Sequence, residues 1–178
     1  MLIIYATREG QTEKVANQVA AHLRASQIET HVVDARDSSN VEMIDLQAFD
    51  RLIFGASMHA GGLEKELVRF VNEHRGQIES KARNFFLVLL SAATKDPEMR
   101  EKTLADARKK LNDQIAVHFD DVEMIAGALM YSRYSLPVKW IMKRIARKAG
   151  EDTDTSKDYE YTDWTQVERY AARIADIS

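Results

Sequence analysis

Five short apolar-rich runs, separated by segments whose apolar residues recur at helical spacing, constrain this chain more than any other feature. Leu2-Ile3-Ile4-Tyr5-Ala6, Thr30-His31-Val32-Val33, Arg51-Leu52-Ile53-Phe54-Gly55, Phe85-Phe86-Leu87-Val88-Leu89-Leu90 and Glu123-Met124-Ile125-Ala126 read as strands. A strand without polar alternation is buried on both faces, as in a parallel sheet covered by helices. The intervening segments supply those helices. Val15, Ala16, Val19, Ala20 and Leu23 mark one stripe, and Leu63, Leu67, Phe70, Val71 and His74 another. Asp96-Pro97 starts a third helix, with Asp as N-cap and Pro in the first position, and Leu104, Ala107, Leu111 and Ile115 continue it. Near the C-terminus, Asp163 caps a helix with Gln166 three residues on, and Trp164, Val167, Tyr170, Ala171 and Ile174 form its inner face. The stretch from Asp37 to Ala48 has no clear period.

Strands alternating with helices predict a doubly wound α/β sheet, which binds its ligand beyond the carboxyl ends of the strands at the switch point of strand order. The 178 residues suit one domain over 1–178, large enough to bury a core. With no cysteine, thiolate metal sites, iron–sulfur clusters, disulfides and cysteine nucleophiles are excluded. His22, His31, His74 and His118 fall on helices or strands without metal-ligand spacing, so no metal is expected. A net charge of −3 argues against nucleic acid as a partner. No apolar run approaches the ~20 residues that span a bilayer, and the first strand leaves no room for a signal peptide. The expectation is a cytoplasmic protein, free or resting on a membrane. One asymmetry bears on that choice. Lys139, Lys143, Arg144, Arg147 and Lys148 cluster without an acid among them, and Glu151, Asp152 and Asp154 then reverse the sign.

The loop Thr7-Arg8-Glu9-Gly10-Gln11-Thr12 joins the first strand to the first helix. Backbone N–H groups and a helix N-terminus converge there, which suits an anion, and Thr7 and Thr12 add hydroxyls. There is no Lys for a Walker loop and no G-x-G-x-x-G for a dinucleotide. Taken as structure alone, the turn merely starts a helix.

Thr7 to Thr12 resembles the flavodoxin phosphate loop, in which hydroxyl residues open and close a six-residue turn containing Gly. The resemblance implies a five-stranded sheet in the order 2-1-3-4-5 and FMN as cofactor, its phosphate held by Thr7, Arg8, Glu9, Gly10, Gln11 and Thr12. The isoalloxazine would lie against the loops after the third and fourth strands, Ser57-Met58-His59-Ala60-Gly61 and Ser91-Ala92-Ala93-Thr94. Flavodoxins often sandwich the flavin between aromatic rings. These two loops supply none, so an open flavin face is expected, and His59 is the first candidate for a base.

Further pieces stand in the same order: Gly55-Ala56-Ser57, Ile125-Ala126-Gly127-Ala128-Leu129, and Thr153-Asp154-Thr155 followed by Tyr161-Thr162-Asp163-Trp164. Together with the phosphate loop they look like the flavodoxin-like, quinone-dependent protoporphyrinogen IX dehydrogenases. That resemblance implies a six-electron oxidation of protoporphyrinogen IX in haem synthesis, with electrons passing through FMN to menaquinone or ubiquinone. It also implies an insert after the fifth strand, here roughly 130–158. The insert offers Tyr131 and Tyr134 for stacking on a macrocycle, and Arg133, Lys139, Lys143 and Arg144 for its propionates; each has an equally simple structural use. On helical geometry Lys139, Lys143 and Arg147 share a face, with Val138, Ile141, Met142, Ile145 and Ala149 largely opposite. Such a helix either packs on the sheet with a solvated basic face or rests on an anionic membrane, here the cytoplasmic face of the inner membrane. The rival readings are a flavodoxin-type electron carrier, an NAD(P)H-dependent quinone reductase, and a cofactor-free α/β binding module.

Overall fold

Burial on both faces accounts for the composition of the three central strands. In the computed structural model, which describes residues 1–59, 62–149 and 154–177, five parallel strands lie in the order β2-β1-β3-β4-β5. They are β1 (Leu2–Ala6), β2 (His31–Asp34), β3 (Arg51–Ser57), β4 (Ala82–Leu89) and β5 (Asp121–Ala126). Leu2 pairs with His31 on one side and Leu52 on the other, and Phe54 pairs with Phe85. Side chains alternate between two cores. Leu2, Ile4, Leu52, Phe54, Phe85 and Leu87 point to the face covered by α3 (Lys65–Glu73), α4 (Arg75–Glu79) and α5 (Pro97–Gln114). Ile3, Tyr5, Ile53, Phe86, Val88 and Ile125 point to the face covered by α1 (Gln11–Ala25) and α7 (Trp164–Asp176). The expected flavodoxin-like order and the layering on both sides are those observed.

The helix starts follow local chemistry. Asp96 caps α5 by accepting from the Met99 amide at 2.7 Å, with Pro97 in the first position. Asp163 caps α7, accepting from Thr165 and Gln166 amides at 2.9 and 3.2 Å. The Gln166 side chain does not complete a capping box. It reaches to β5 and donates to the Met124 carbonyl at 3.0 Å and to the Glu123 carboxylate. The periodless stretch after β2 holds a five-residue helix, α2 (Ser38–Glu42), capped by Asp37, and a 3-10 turn at Leu46–Ala48 capped by Asp45. α2 buries no residue, so it leaves no apolar period to read.

Two positions in the α1/α7 core carry stability predictions. Gly55 lies beneath the buried Phe86 ring, and a Cβ built on it falls 2.1 Å from Phe86 Cζ. That ring is also held edge-on to Tyr170, with centroids 6.3 Å apart. Gly55→Ala is therefore expected to cost ~1–3 kcal/mol by overpacking, read as a lower urea midpoint; an unchanged midpoint would mean the ring has room to yield. The Tyr170 hydroxyl is fully buried with no hydrogen-bond partner among the described residues, and burial pushes its pKa well up. Deleting an unsatisfied hydroxyl removes a desolvation cost, so Tyr170→Phe is expected to stabilise the fold by ~1 kcal/mol. A loss of stability would reveal a partner for that oxygen.

After β5 the chain forms a small annex. β6 (Ala128–Leu129) pairs antiparallel with β7 (Tyr159–Glu160), and between them run a 3-10 turn at Tyr131–Arg133 and α6 (Leu136–Ala149). Leu129, Tyr131 and Ala146 form its core, with Leu90, Tyr134, Tyr159 and Tyr161 around them. Tyr131 meets Tyr134 and Tyr159 edge-on at 6.0 and 6.3 Å.

Candidate cofactor site

The carboxyl ends of β1, β3, β4 and β5 open into one groove. It is lined by Thr7, Glu9, Gln11 and Thr12 on one side, Ser57, Met58 and His59 on another, and Val88–Leu90, Gly127 and Ala128 on the third. This is the switch point of the sheet, where β1 has neighbours on both sides and the helices change face.

The phosphate-loop candidates come together as the sequence suggests. Gly10 adopts φ 94°, a left-handed conformation that glycine takes without strain. Its amide donates to Thr7 Oγ1 at 2.9 Å, which closes the turn. Gly10 then stands as N-cap of α1 with no side chain satisfying the first-turn amides. Thr12 is fully buried, yet its hydroxyl has no partner among the described residues, and neither has Gln11 Oε1. Orphan amides, an orphan hydroxyl and the positive end of a 15-residue helix around one point are the donor set that a phosphate monoester satisfies. Arg8 is largely exposed at the rim.

The far end of the chain buttresses this loop. Gln11 Nε2 donates to Thr162 Oγ1 at 2.9 Å, and Thr162 donates in turn to the Ala126 carbonyl at 2.7 Å. Tyr161 N donates to the Gly127 carbonyl at 3.0 Å. Glu160 receives Lys14 Nζ at 2.7 Å and Trp164 Nε1 at 2.9 Å, which hold its carboxyl below the usual range. Motifs distant in sequence thus meet at one clamp between α1, the end of β5 and the start of α7. Thr153 lies outside the described residues.

In the loop after β3, Ser57 Oγ lies 2.9 Å from His59 Nε2, while Ala60 and Gly61 lie outside the described residues. His59 Nε2 is also 3.2 Å from Glu64 Oε1, and Arg8 Nη2 is 3.3 Å from Glu64 Oε2. Glu64 carries no signature in the sequence, where it looks like an ordinary charge before a helix. Ser91, Ala92, Ala93 and Thr94 continue the 3-10 turn after β4, with Ala92 and Thr94 buried; the groove wall there is Val88, Leu89 and Leu90 instead.

The insert changes the expected openness of the site. Tyr134 lines the groove, so the aromatic ring that the two flavin loops lack is brought in from beyond β5. Burial, and then the nearby Glu9 charge, push its phenol pKa up. Tyr131, proposed to stack on a macrocycle, is buried in the annex core and presents no surface for it. The structure describes the backbone of Arg133 but not its side chain. Lys139 and Lys143 are half-buried, Arg144 is exposed with its guanidinium 5.8 Å from the Trp140 ring centroid, and Arg147 is exposed. Trp140 and Leu136 are 64% and 83% exposed, unusual for large apolar side chains one helical turn apart. The side chains of Val138, Ile141, Met142, Ile145 and Ala149 lie outside the described residues.

A doubly wound sheet in the order 2-1-3-4-5, with an anion-ready loop at its switch point, defines the flavodoxin-like class. Comparison with known proteins agrees. A model described as a flavodoxin domain matches residues 2–156. Flavodoxin 1 and Flavodoxin 2 from Bacillus cereus superpose with TM-scores of 0.54 and 0.56 at 20% and 19% identity. They cover 98% and 99% of this chain, and 96% and 98% of theirs is covered. The protoporphyrinogen IX dehydrogenase (quinone) of Escherichia coli K12 is 35% identical over 99% of this chain and 95% of its own length. The protein of that name from Leishmania major is 29% identical over 99% of this chain and 74% of its own. The chain belongs to the flavodoxin-domain family, among the flavodoxin-like quinone-dependent protoporphyrinogen IX dehydrogenases.

Proposed function

We propose that this chain oxidises protoporphyrinogen IX to protoporphyrin IX with bound FMN, delivering the electrons to a membrane quinone. The observation that carries this reading is the near-full-length similarity to the Escherichia coli dehydrogenase, which includes the annex that places Tyr134 in the groove. FMN supplies stepwise or paired electron transfer between a reduced tetrapyrrole and a quinone. The chain's own residues bind and orient. The amides of Gln11 and Thr12 and the hydroxyls of Thr7 and Thr12 would hold the phosphate, Ser57, Met58 and His59 would line the flavin's side of the groove, and Tyr134 lines it from the insert. The substrate's propionates pair with cations of α6, Lys139, Lys143 and Arg144 being the candidates, with Arg133 beside them. Steady-state formation of fluorescent protoporphyrin IX with a quinone tests the reading. Turnover with NADH or NADPH as donor and none with protoporphyrinogen would replace it with a quinone-reductase reading.

Quinones reside in the bilayer, and α6 suits a membrane surface. Among the described residues no helix is long and apolar enough to cross a membrane. At 100° per residue, however, Leu136, Trp140, Lys143, Arg144 and Arg147 fall on one face, with Lys139 at its margin. Exposed Trp and Leu among cations form a face for the lipid interface, where each Lys or Arg near an anionic surface contributes ~1 kcal/mol. The combined Lys139→Gln, Lys143→Gln and Arg147→Gln variant is expected to bind phosphatidylglycerol vesicles about 100-fold more weakly at low salt. Unchanged partitioning would reject membrane docking through α6.

A further inference from the structure

A helix start that receives an anion cannot also close its first amides with a cap. Gly10 leaves them open, and α1 forgoes the rigidity that a capping side chain gives. Its first turn is tied instead to the segment on which the annex returns to the sheet. Gln11 Nε2 donates to Thr162 Oγ1 at 2.9 Å, and Lys14 Nζ to Glu160 Oε2 at 2.7 Å. The second tie, with its side chains 52% and 35% exposed, contributes little. The first is sheltered, since Gln11 is 6% exposed. Thr162 donates its own hydrogen to the Ala126 carbonyl at 2.7 Å, where β5 ends and the annex departs. Tyr161 N donates to the Gly127 carbonyl at 3.0 Å, and the β6–β7 pairs Ala128–Glu160 and Leu129–Tyr159 close the stem. Gly127 and Ala128 line the groove. One hydroxyl therefore joins the first turn of α1 to both ends of the annex. Neither tie uses a backbone amide of α1, so both persist with an anion in place.

We propose that Thr162 is a positioning residue that couples the annex to the cofactor phosphate. Its hydroxyl holds the Gln11 side chain, and with it the amides of Gln11 and Thr12, against the stem of the annex. The inference rests on the reading of residues 7–12 as the phosphate loop. The two segments that this hydroxyl joins depend on each other. The uncapped turn loses its sheltered brace when the annex detaches. The annex has a core of only Leu129, Tyr131 and Ala146 with four partly buried neighbours, small enough to open locally. A phosphate that binds the braced turn better than the loose one shifts the annex toward its docked form. By linkage, the docked annex tightens phosphate binding by the same factor. The relay ends at the first turn of α1, so a flavin without a phosphate gains nothing from it.

Titration of the apo-protein with FMN, and with riboflavin, which lacks the phosphate, reads this coupling without turnover. Thr162→Val keeps the shape and deletes the hydroxyl. FMN should then bind ~10-fold more weakly, and riboflavin within ~3-fold of wild type. Thr162→Ser restores the hydroxyl and should return FMN affinity to within ~3-fold of wild type. Hydrogen exchange reads the same coupling from the other side. In the wild type, saturating FMN should slow exchange at the amides of β6, β7 and α6 more than saturating riboflavin does, and Thr162→Val should lose that difference. FMN affinity unchanged in Thr162→Val, or annex protection unchanged there, overturns the proposal. An equal loss for FMN and riboflavin also overturns it, since the hydroxyl would then serve the fold of the groove rather than the phosphate. Should Thr162→Val not fold, wild-type exchange decides: greater protection by FMN upholds the coupling and equal protection by the two flavins overturns it. Wild-type protein that binds FMN no better than riboflavin shows instead that residues 7–12 do not hold the phosphate, and the proposal falls with that reading.

Discussion

Gly10→Val lowers FMN affinity roughly 10- to 100-fold, the equivalent of the ~1–3 kcal/mol of strain that a left-handed backbone imposes on a side chain. The strain arises because Gly10 sits at φ 94°, a conformation that a β-branched residue occupies at high cost. Valine escapes it only by rotating the turn, which moves the Gln11 and Thr12 amides away from their common focus. Gly10→Asn separates backbone strain from bulk, since asparagine tolerates the left-handed region, and it should retain most of the affinity. Quenching of flavin fluorescence on titration measures both. Wild-type affinity in Gly10→Val would mean that the turn does not hold the phosphate.

The second large effect has opposite signs in the free and the FMN-bound protein. Thr12 is fully buried and its hydroxyl lacks a partner among the described residues. Thr12→Val keeps the shape and deletes the oxygen. Without cofactor, the variant loses a desolvation cost and should be more stable by ~1 kcal/mol. With cofactor, it loses a hydrogen bond to a charged phosphate, worth ~1.5–3 kcal/mol, so affinity should fall ~10- to 100-fold. Thermal unfolding with and without saturating FMN reads both changes in one experiment. A variant destabilised in both states would show that the hydroxyl serves the fold rather than the ligand.

What the sequence reveals here depends on how local the governing physics is. The three central strands are legible because both their faces are buried, which strips polar residues from Leu2–Ala6 and Phe85–Leu89. Asp96 and Asp163 are legible because a cap acts within three residues. α2 is not, because a helix that buries nothing has no apolar stripe. Tyr131 and Tyr134 show the limit within the site. Both are aromatic and three residues apart, and the 3-10 turn between them sends one into the annex core and the other into the groove. Composition cannot separate them. Glu64 is harder still, since its surroundings depend on the loops after β1 and β3 approaching one carboxylate. The basic cluster on α6 was visible as charge, but the exposure of Leu136 and Trp140 among those cations was not.

If the groove at the sheet's switch point holds FMN as the electron acceptor for protoporphyrinogen IX, substrate alone reduces the flavin. Anaerobic rapid mixing of FMN-loaded protein with protoporphyrinogen IX, followed by visible absorption, measures this. The oxidised-flavin absorption should bleach as protoporphyrin IX appears, return when a menaquinone or ubiquinone analogue is added, and not bleach at a comparable rate with NADH or NADPH. Flavin that stays oxidised in protoporphyrinogen but bleaches rapidly in NAD(P)H, or protein that binds no FMN at all, would contradict it.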